Sequence, residues 1–271
     1  MASFDLTGRT VLITGATDGL GRALARAVLD AGATVLVHGR SPERIAATVD
    51  ELGGGERVRS YRADLASLAE VHALADELLA SEPRLDVLVN NAGIGARTGR
   101  VEERELSADG YELRFAVNHL AGFALTERLL DRVRESAPAR IVNVSSLGQQ
   151  AIDFDDVMLE RDYSGVRAYC QSKLAQILFT VDLAARLEGT GVTVNALHPA
   201  TYMPTKMVHS PISTLEEGVE ATLRLVADPA LDGVTGRFFD GVREARPDAQ
   251  AADADARRRL WTLSEELTAR R

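Results

Sequence analysis

Thr10-Val11-Leu12-Ile13-Thr14-Gly15-Ala16-Thr17-Asp18-Gly19-Leu20-Gly21 is a short apolar run that ends in a turn with three glycines, after which helical periodicity begins. An apolar stretch of this length, bounded by turn residues, reads as a strand buried on both faces, so the segment is strand, turn, helix. Glycine permits positive φ and close approach of backbone to a ligand, while a helix amino terminus offers free N–H groups and the positive end of its dipole. The turn is therefore an anion site suited to a pyrophosphate. Its G-x-x-x-G-x-G spacing differs from the G-x-G-x-x-G dinucleotide fingerprint, and alone it leaves open a purely structural use of the glycines in a tight connection.

Outward from that turn the same alternation repeats. Runs rich in Val, Ile and Leu at Thr34–His38, Asp86–Asn90, Arg140–Val144 and Val192–Leu197 read as further strands, with a weaker one at Arg57–Arg62 and another at Arg237–Phe239. Helical periodicity marks Leu20–Ala31, Pro42–Leu52, Ser67–Leu79, Ser107–Ser136, Tyr169–Leu187 and Thr214–Ala227. Strand–helix alternation implies a parallel sheet covered by helices. The fold class is thus α/β, a doubly wound parallel sheet of about seven strands. No Pro/Gly/Ser-rich linker or long repeat divides the chain, so residues 1–271 form one domain; 241–271 reads as a helical carboxy-terminal extension, packed by Leu260, Trp261 and Leu267 and otherwise solvated.

Composition narrows the function classes. A net charge of −9 repels nucleic acid, and any phosphate-bearing ligand must be drawn by a local site. The single cysteine, Cys170, forms no intrachain disulfide or multi-cysteine zinc site, and the five histidines show no metal spacing, so no metal is expected. The amino-terminal stretch shows no basic region followed by a long apolar run, and no uninterrupted apolar stretch reaches about 18 residues. The expectation is a cytoplasmic protein without membrane partners.

With these motifs in place, the chain resembles the short-chain dehydrogenase/reductase family. TGxxxGxG follows the first strand, Asn90-Asn91-Ala92-Gly93 ends the fourth, Asn118 lies in a long helix, Ser145-Ser146 follow the fifth strand, and Tyr169-Cys170-Gln171-Ser172-Lys173 supplies YxxxK. The order and rough spacing match over Thr10 to about Phe239; after Asn195-Ala196-Leu197-His198-Pro199 the family usually has glycine, where this chain has Ala200. Twenty-two residues separate Ser146 from Tyr169, more than in compact members, and this segment should form an active-site loop. That loop and the wording around Asn118 and Tyr169 resemble the retinol-dehydrogenase-like branch. The resemblance implies a single-domain Rossmann fold and cofactor contacts from Gly15, Thr17, Asp18, Gly19, Leu20, Gly21, Asp64, Leu65, Asn91, Ala92, Gly93, Tyr169, Lys173, Pro199 and Thr205.

The cofactor's identity is read at the end of the second strand, Val37-His38-Gly39-Arg40. A carboxylate there would bind the adenosine ribose, and an arginine suits a 2′-phosphate. Gly39 stands where the family's aspartate aligns and Arg40 follows, so NADPH is expected over NADH, with help from Arg22. Asp18 sits where some NADP-dependent relatives carry a basic residue, which predicts some tolerance of NADH. Asp64 reads either as a contact to the adenine amine or as a helix N-cap.

Hydride arrival on a carbonyl carbon leaves negative charge on oxygen, which calls for a proton donor and a steadying hydrogen bond. Tyr169 and Ser146 fit, and Lys173 lies four residues on, on the same helical face, where its cation should lower the tyrosine pKa. By resemblance Lys173 also holds the nicotinamide ribose and Asn118 positions a relay water. Tyr163 is a weaker candidate because Arg167 occupies the lysine position; His119 and Cys170 read as packed residues. Thr201–Pro211 corresponds to the substrate lid, where Met203, Met207, Val208 and Ile212 either face a hydrophobic substrate or pack the loop. The expected function is oxidoreduction of a hydrophobic carbonyl or alcohol, with a catalytically silent NADPH sensor or scaffold as the alternative and sugar-nucleotide epimerisation as a weaker one. The family's use of the Ser107–Ser136 and Tyr169–Leu187 helices in subunit pairing implies a homodimer or homotetramer, with a monomer left open by the loop before Tyr169.

Overall fold

Residues 4–96, 103–205 and 210–269 are described by the computed structural model. Eight strands form one sheet: β1 (Thr10–Ile13), β2 (Thr34–Gly39), β3 (Val58–Arg62), β4 (Val87–Asn90), β5 (Ala139–Val144), β6 (Val192–His198), β7 (Phe238–Asp240) and β8 (Arg243–Ala245). Their spatial order is β3-β2-β1-β4-β5-β6-β7-β8. All neighbours are parallel except β8, which folds back on β7 with Asp240 opposite Arg243. This eighth strand, within the segment expected to be helical, adds to the seven read from sequence.

Alternation along the strands divides the core. Leu12, Leu36, Leu88, Ile141 and Val194 point to one face, where they meet α3 (Leu68–Ser81), α5 (Ala121–Glu135) and α6 (Gly165–Arg186). Val11, Ile13, Val35, Val37, Val89 and Val142 point to the other, beneath α1 (Gly19–Asp30), α2 (Pro42–Glu51) and α7 (Leu215–Ala227). Because both faces are covered, the strands read as continuous apolar runs.

The expected helix Ser107–Ser136 does not start at Ser107. The Ser107 hydroxyl accepts the Asp109 and Tyr111 N–H groups and Gly110 has φ +85°, which makes a turn. Helix begins only at α4 (Leu113–Phe115), capped by the Glu112 carboxylate on Phe115 N, and passes through a π-helical turn, Ala116–Leu120, before α5. Single π turns of this kind commonly sit at functional sites.

The terminal helix α8 (Ala254–Thr268) lies over α5 and α6 with Leu260 and Trp261 buried and its opposite face, including Arg258, Arg259 and Glu266, exposed. Trp261 stands 5.1 Å from the Phe123 ring and 5.8 Å from Phe179, with the Arg186 guanidinium 3.6 Å over its face. Tyr111 Oη donates to Leu267 O, and His72 Nε2 meets Thr268 O, so side chains from the body satisfy carbonyls that the helix end leaves open. Every residue from Gln171 to Thr180 on α6 is consequently buried within one chain.

Candidate active site

The sheet order reverses between β1 and β4, and the loops leaving their carboxyl ends form the crevice where such sheets bind ligands. Thr14 joins the two loops: its hydroxyl accepts the N–H groups of Asn91 (2.9 Å) and Ala92 (3.0 Å), and Asn91 Nδ2 donates to Thr14 O (2.7 Å). Gly15 has φ +67° and Gly19 φ +47°, values that L side chains rarely adopt. Gly21 is required by packing, since a Cβ there would lie 2.4 Å from Gly15 O and 2.5 Å from Asn91 Nδ2. Asp18 caps α1 by accepting Gly19 N at 2.9 Å, and Leu20 anchors the helix in the core.

His38, two residues before Arg40, belongs to no sequence motif, yet it shapes the turn. Its main-chain carbonyl accepts Ala16 N, its Nδ1 accepts Gly15 N at 3.2 Å, and Nε2 donates to Ala63 O at 3.2 Å. The ring thus ties the glycine turn to β2 and β3, and burial pushes its pKa down to about 4, keeping it neutral.

Gly39 leaves no room for an acid without rearrangement, because a Cβ would meet Thr17 Cγ2 at 2.5 Å. Arg40 is exposed just beyond. Arg44, which likewise belongs to no sequence motif, reaches back from α2 to Asp18 (2.8 Å) and to Thr17 O (3.2 Å). The Asp18 charge from which some tolerance of NADH was expected is therefore paired with a cation. Arg22 turns instead to Glu51 at 3.2 Å. Asp64 is not an N-cap: Ser67 caps α3, and Asp64 Oδ1 accepts Ala66 N at 3.0 Å to shape the preceding turn, with Leu65 buried behind it.

At the other end of the crevice two expected residues meet beside Gly93, and two more meet beside Gly148, where a Cβ would lie 3.5 Å from both Ser146 Oγ and Tyr169 Cε1. A Cβ on Gly93 would lie 3.2 Å from Asn118 Oδ1 and 3.5 Å from Lys173 Nζ. Asn118, on the π turn, accepts Ile94 N (2.7 Å) and donates to Ile94 O (3.1 Å) and to Ser172 Oγ (2.9 Å). Beneath it, His119 Nε2 donates to Ser264 Oγ of α8 at 2.8 Å, and burial drives the imidazole pKa to about 3; it is a neutral packing residue. The two adjacent serines separate cleanly. Ser145 Oγ donates to Lys173 O (2.7 Å) and holds α6, whereas Ser146 accepts Gly148 N (3.0 Å) and hydrogen-bonds the Tyr169 phenol.

Lys173 is buried, 5.7 Å from the Tyr169 ring centroid, and donates to Val144 O and to Gln176 Oε1, both at 2.9 Å. Burial lowers its pKa to about 7 and raises that of Tyr169, against which the Ser146 hydrogen bond acts. The Tyr169 pKa is thus raised by burial, where a lowering by Lys173 was expected, and the opposing effect comes from Ser146. Gln176 has no motif to mark it in the sequence, although its place three residues beyond Lys173 puts it on the same helical face.

Tyr163 is committed elsewhere: it donates to Glu112 and accepts from the fully buried Arg114 at 2.7 Å. Burial pushes its pKa up to about 12, and Arg167 pairs with Asp153 at 2.9 Å. The long segment before Tyr169 is fastened to the carboxy-terminal region, with Gln250 bonding both the N–H and the C=O of Ile152. Cys170 is half-buried, its thiol pKa raised by burial.

On the lid, Thr205 sits over the glycine turn, where a Gly19 Cβ would approach its Cγ2 to 3.1 Å. Pro199 is buried at the end of β6. Met203 packs on Gly218 of α7 and Leu20 rather than facing the site, while Ile212 is exposed; Met207 and Val208 lie outside the described residues. Leu147, Val166 and Tyr202, all near Ser146 and Tyr169, are large exposed apolar side chains. Among the described residues no helix is long and apolar enough to cross a membrane.

A doubly wound sheet whose switch point carries a glycine turn on one side and a Ser–Tyr–Lys group on the other defines an α/β oxidoreductase of the dinucleotide-binding type. The family model for short chain dehydrogenases matches residues 9–215, and the chain belongs to that family, in its retinol-dehydrogenase-like branch. It is 39% identical to retinol dehydrogenase 13 of Mus musculus, over 97% of this chain and 84% of the relative. To retinol dehydrogenase 14 of Homo sapiens it is 40% identical, over 95% and 85% respectively. Among solved structures, a Mycobacterium paratuberculosis protein is similar with TM-score 0.81 and 34% identity, covering 97% of this chain and 94% of that one. The Pseudomonas aeruginosa RhlG/NADP active-site complex is similar with TM-score 0.72 and 27% identity, covering 89% and 97%. The chain is an oxidoreductase acting on CH–OH or C=O groups.

Proposed function

We infer that the protein is an NADPH-dependent reductase of hydrophobic ketones or aldehydes, able to run in reverse on the alcohol, and that a single buried group performs the proton chemistry. The grouping of Ser146 with Tyr169, of Tyr169 with Lys173, and of Lys173 with Asn118 beside Gly93 supports this reading. The crevice fits a dinucleotide: the Gly15–Gly21 turn admits close backbone approach at one end, and Gly93 leaves open the space between Asn118 and Lys173 at the other. Gly15, Thr17, Asp18, Gly19, Leu20, Gly21, Asn91, Ala92 and Gly93 would hold its phosphates and nicotinamide side, Asp64 and Leu65 its adenine, and Pro199 and Thr205 its carboxamide. When bound, nicotinamide supplies the hydride to the carbonyl carbon.

The residues do the rest. Ser146 Oγ donates a hydrogen bond to the carbonyl oxygen, and Tyr169 Oη gives its proton to that oxygen as the negative charge develops. Burial keeps Tyr169 protonated at neutral pH in the free protein, the state a reductase needs. Lys173 holds the ribose hydroxyls and returns a proton to Tyr169, and Asn118 positions a water that resupplies Lys173. Exposed Arg40 at the end of β2, with Asp18 covered by Arg44, supports NADPH over NADH.

The exposed apolar side chains Leu147, Val166, Tyr202 and Ile212 support a hydrophobic substrate, retinoids belong in the test panel because similar proteins carry that name, and a cytoplasmic location is part of the same proposal. The covering of α6 by α8 favours the single chain as active unit over the homodimer or homotetramer. The test is Tyr169→Phe, assayed for NADPH oxidation over a panel of aldehydes, cyclic ketones and retinoid-like carbonyls. Loss of turnover with NADPH affinity intact supports the reading. A wild type that binds NADPH and turns over nothing favours a sensor.

A further inference from the structure

Beneath the crevice a chain of buried side-chain hydrogen bonds has its direction fixed at both ends. Thr180 Oγ donates to Gln176 O (2.8 Å), so it accepts from Asn143 Nδ2 (2.8 Å), which turns Asn143 Oδ1 toward Asn90 Nδ2 (2.9 Å). Thr126 Oγ donates to Gly122 O (2.6 Å) and likewise accepts from Asn90 Nδ2 (3.0 Å). Asn90 therefore cannot be flipped, and its Oδ1, buried, finds no donor in the protein. An acceptor so placed costs its full desolvation unless something donates to it.

Gln176 offers the complementary group. Its Oε1 accepts from the Lys173 ammonium at 2.9 Å, which turns Nε2, a donor, away from the lysine. Asn90 and Gln176 both line one small cavity, together with Thr14, Asn118 and Gly122, of about 10 Å³. That is the volume of about one water-sized sphere, and although Leu65, Val117 and Leu125 also line the space, Asn90 and Gln176 supply the polar partners that a water there needs.

The geometry points to a structural water site in this cavity: one water accepts from Gln176 Nε2, donates to Asn90 Oδ1, and so makes Gln176 a positioning residue that holds the Lys173 ammonium in place. This role rests on Lys173 belonging to the catalytic group. Thr14, whose hydroxyl joins the glycine turn to the β4 loop, lines the same cavity, so the water lies behind both halves of the crevice. Tyr169 on α6 and His198 at the end of β6 are the titratable groups that face Lys173, with Asp240 acting on His198.

The full chain without any ligand suffices as the test. It contains two lysines, Lys173 and Lys206, so lysine labelled with carbon-13 at Cε gives two resonances, which Lys173→Ala assigns. Gln176→Leu removes the acceptor and should lower the Lys173 pKa by about one unit. Gly122→Ala is the gentler probe, because its methyl would lie 3.5 Å from Asn90 Cγ and 3.7 Å from Oδ1, ordinary contacts that fill the cavity. It should expel the water and lower the Lys173 pKa by a smaller amount. A crystal structure at atomic resolution should show density within hydrogen-bond distance of both Asn90 Oδ1 and Gln176 Nε2. A dry cavity overturns the water site, and a Lys173 titration unmoved by Gln176→Leu overturns the anchoring. Neither readout needs turnover, so failure of the reductase reading, seen as activity surviving Tyr169→Phe, is separately visible.

Discussion

His38 Nδ1 accepts the Gly15 N–H at 3.2 Å while Nε2 of the same ring donates to Ala63 O, so one neutral imidazole fixes the start of the glycine turn. Its folded pKa of about 4 lies below the ordinary 6.5. The unfolded chain therefore binds the extra proton between those values, and stability present above pH 6.5 is lost as pH falls toward 4. At about 1.4 kcal/mol per unit, the loss reaches about 3 kcal/mol. Urea midpoints measured from pH 7.5 to 4.5 should fall more steeply for the wild type than for His38→Asn, which keeps an acceptor without the titration. Parallel curves would show that the ring does not titrate with unfolding.

Arg44 lies 2.8 Å from Asp18, and this pair separates two contributions to cofactor choice. Arg40→Ala removes a charge-assisted contact of about 1.5–3 kcal/mol and should weaken NADPH binding about 10- to 100-fold with little change for NADH. Arg44→Ala instead uncovers the Asp18 carboxylate beside the phosphates and should weaken both cofactors, with Asp18→Asn restoring much of the loss. Fluorescence titration of the reduced cofactors reads all three variants. Equal losses of NADPH and NADH in Arg40→Ala would remove Arg40 from the specificity argument.

What the sequence made legible and what it hid follow from where each signal resides. The five central strands β2, β1, β4, β5 and β6 could be read because burial on both faces writes itself as runs of Val, Ile and Leu. Strand β8, Arg243-Glu244-Ala245, has no such pattern and exists because the chain reverses onto β7. Ser107-Ala108-Asp109-Gly110 carried turn residues within a helical period, and the Ser107 hydroxyl decided for the turn. The π turn was not legible, since Asn118 is held by Ile94 and Ser172, distant in sequence. The Ser146–Tyr169–Lys173 group was readable as a motif, but its partners His38, Arg44 and Gln176 were not, because each acts through a contact made only by folding.

Ser145 and Ser146 offer a test within two adjacent positions. Ser146→Ala removes the hydrogen bond to the reacting oxygen and should lower kcat about 100- to 1000-fold with cofactor affinity unchanged. Ser145→Ala removes a bond to the Lys173 carbonyl and should cost about 1 kcal/mol of stability with a smaller effect on kcat. The reverse ranking in steady-state kinetics would exchange their roles.

The terminal helix makes the last prediction. Trp261 packs against both Phe123 and Phe179 and lies under the Arg186 guanidinium, so Trp261→Ala should cost about 3–5 kcal/mol in urea unfolding. The same packing leaves no uncovered residue on α6 from Gln171 to Thr180 through which a second copy could pair. Sedimentation equilibrium of the wild type should therefore return the mass of one chain, 29.2 kDa. In Trp261→Ala, loosening of α8 exposes apolar α5 and α6 surface, and concentration-dependent association should appear. A wild-type dimer that Trp261→Ala dissociates would place α8 in the subunit interface, whereas a dimer indifferent to the substitution would place the interface elsewhere on the molecule.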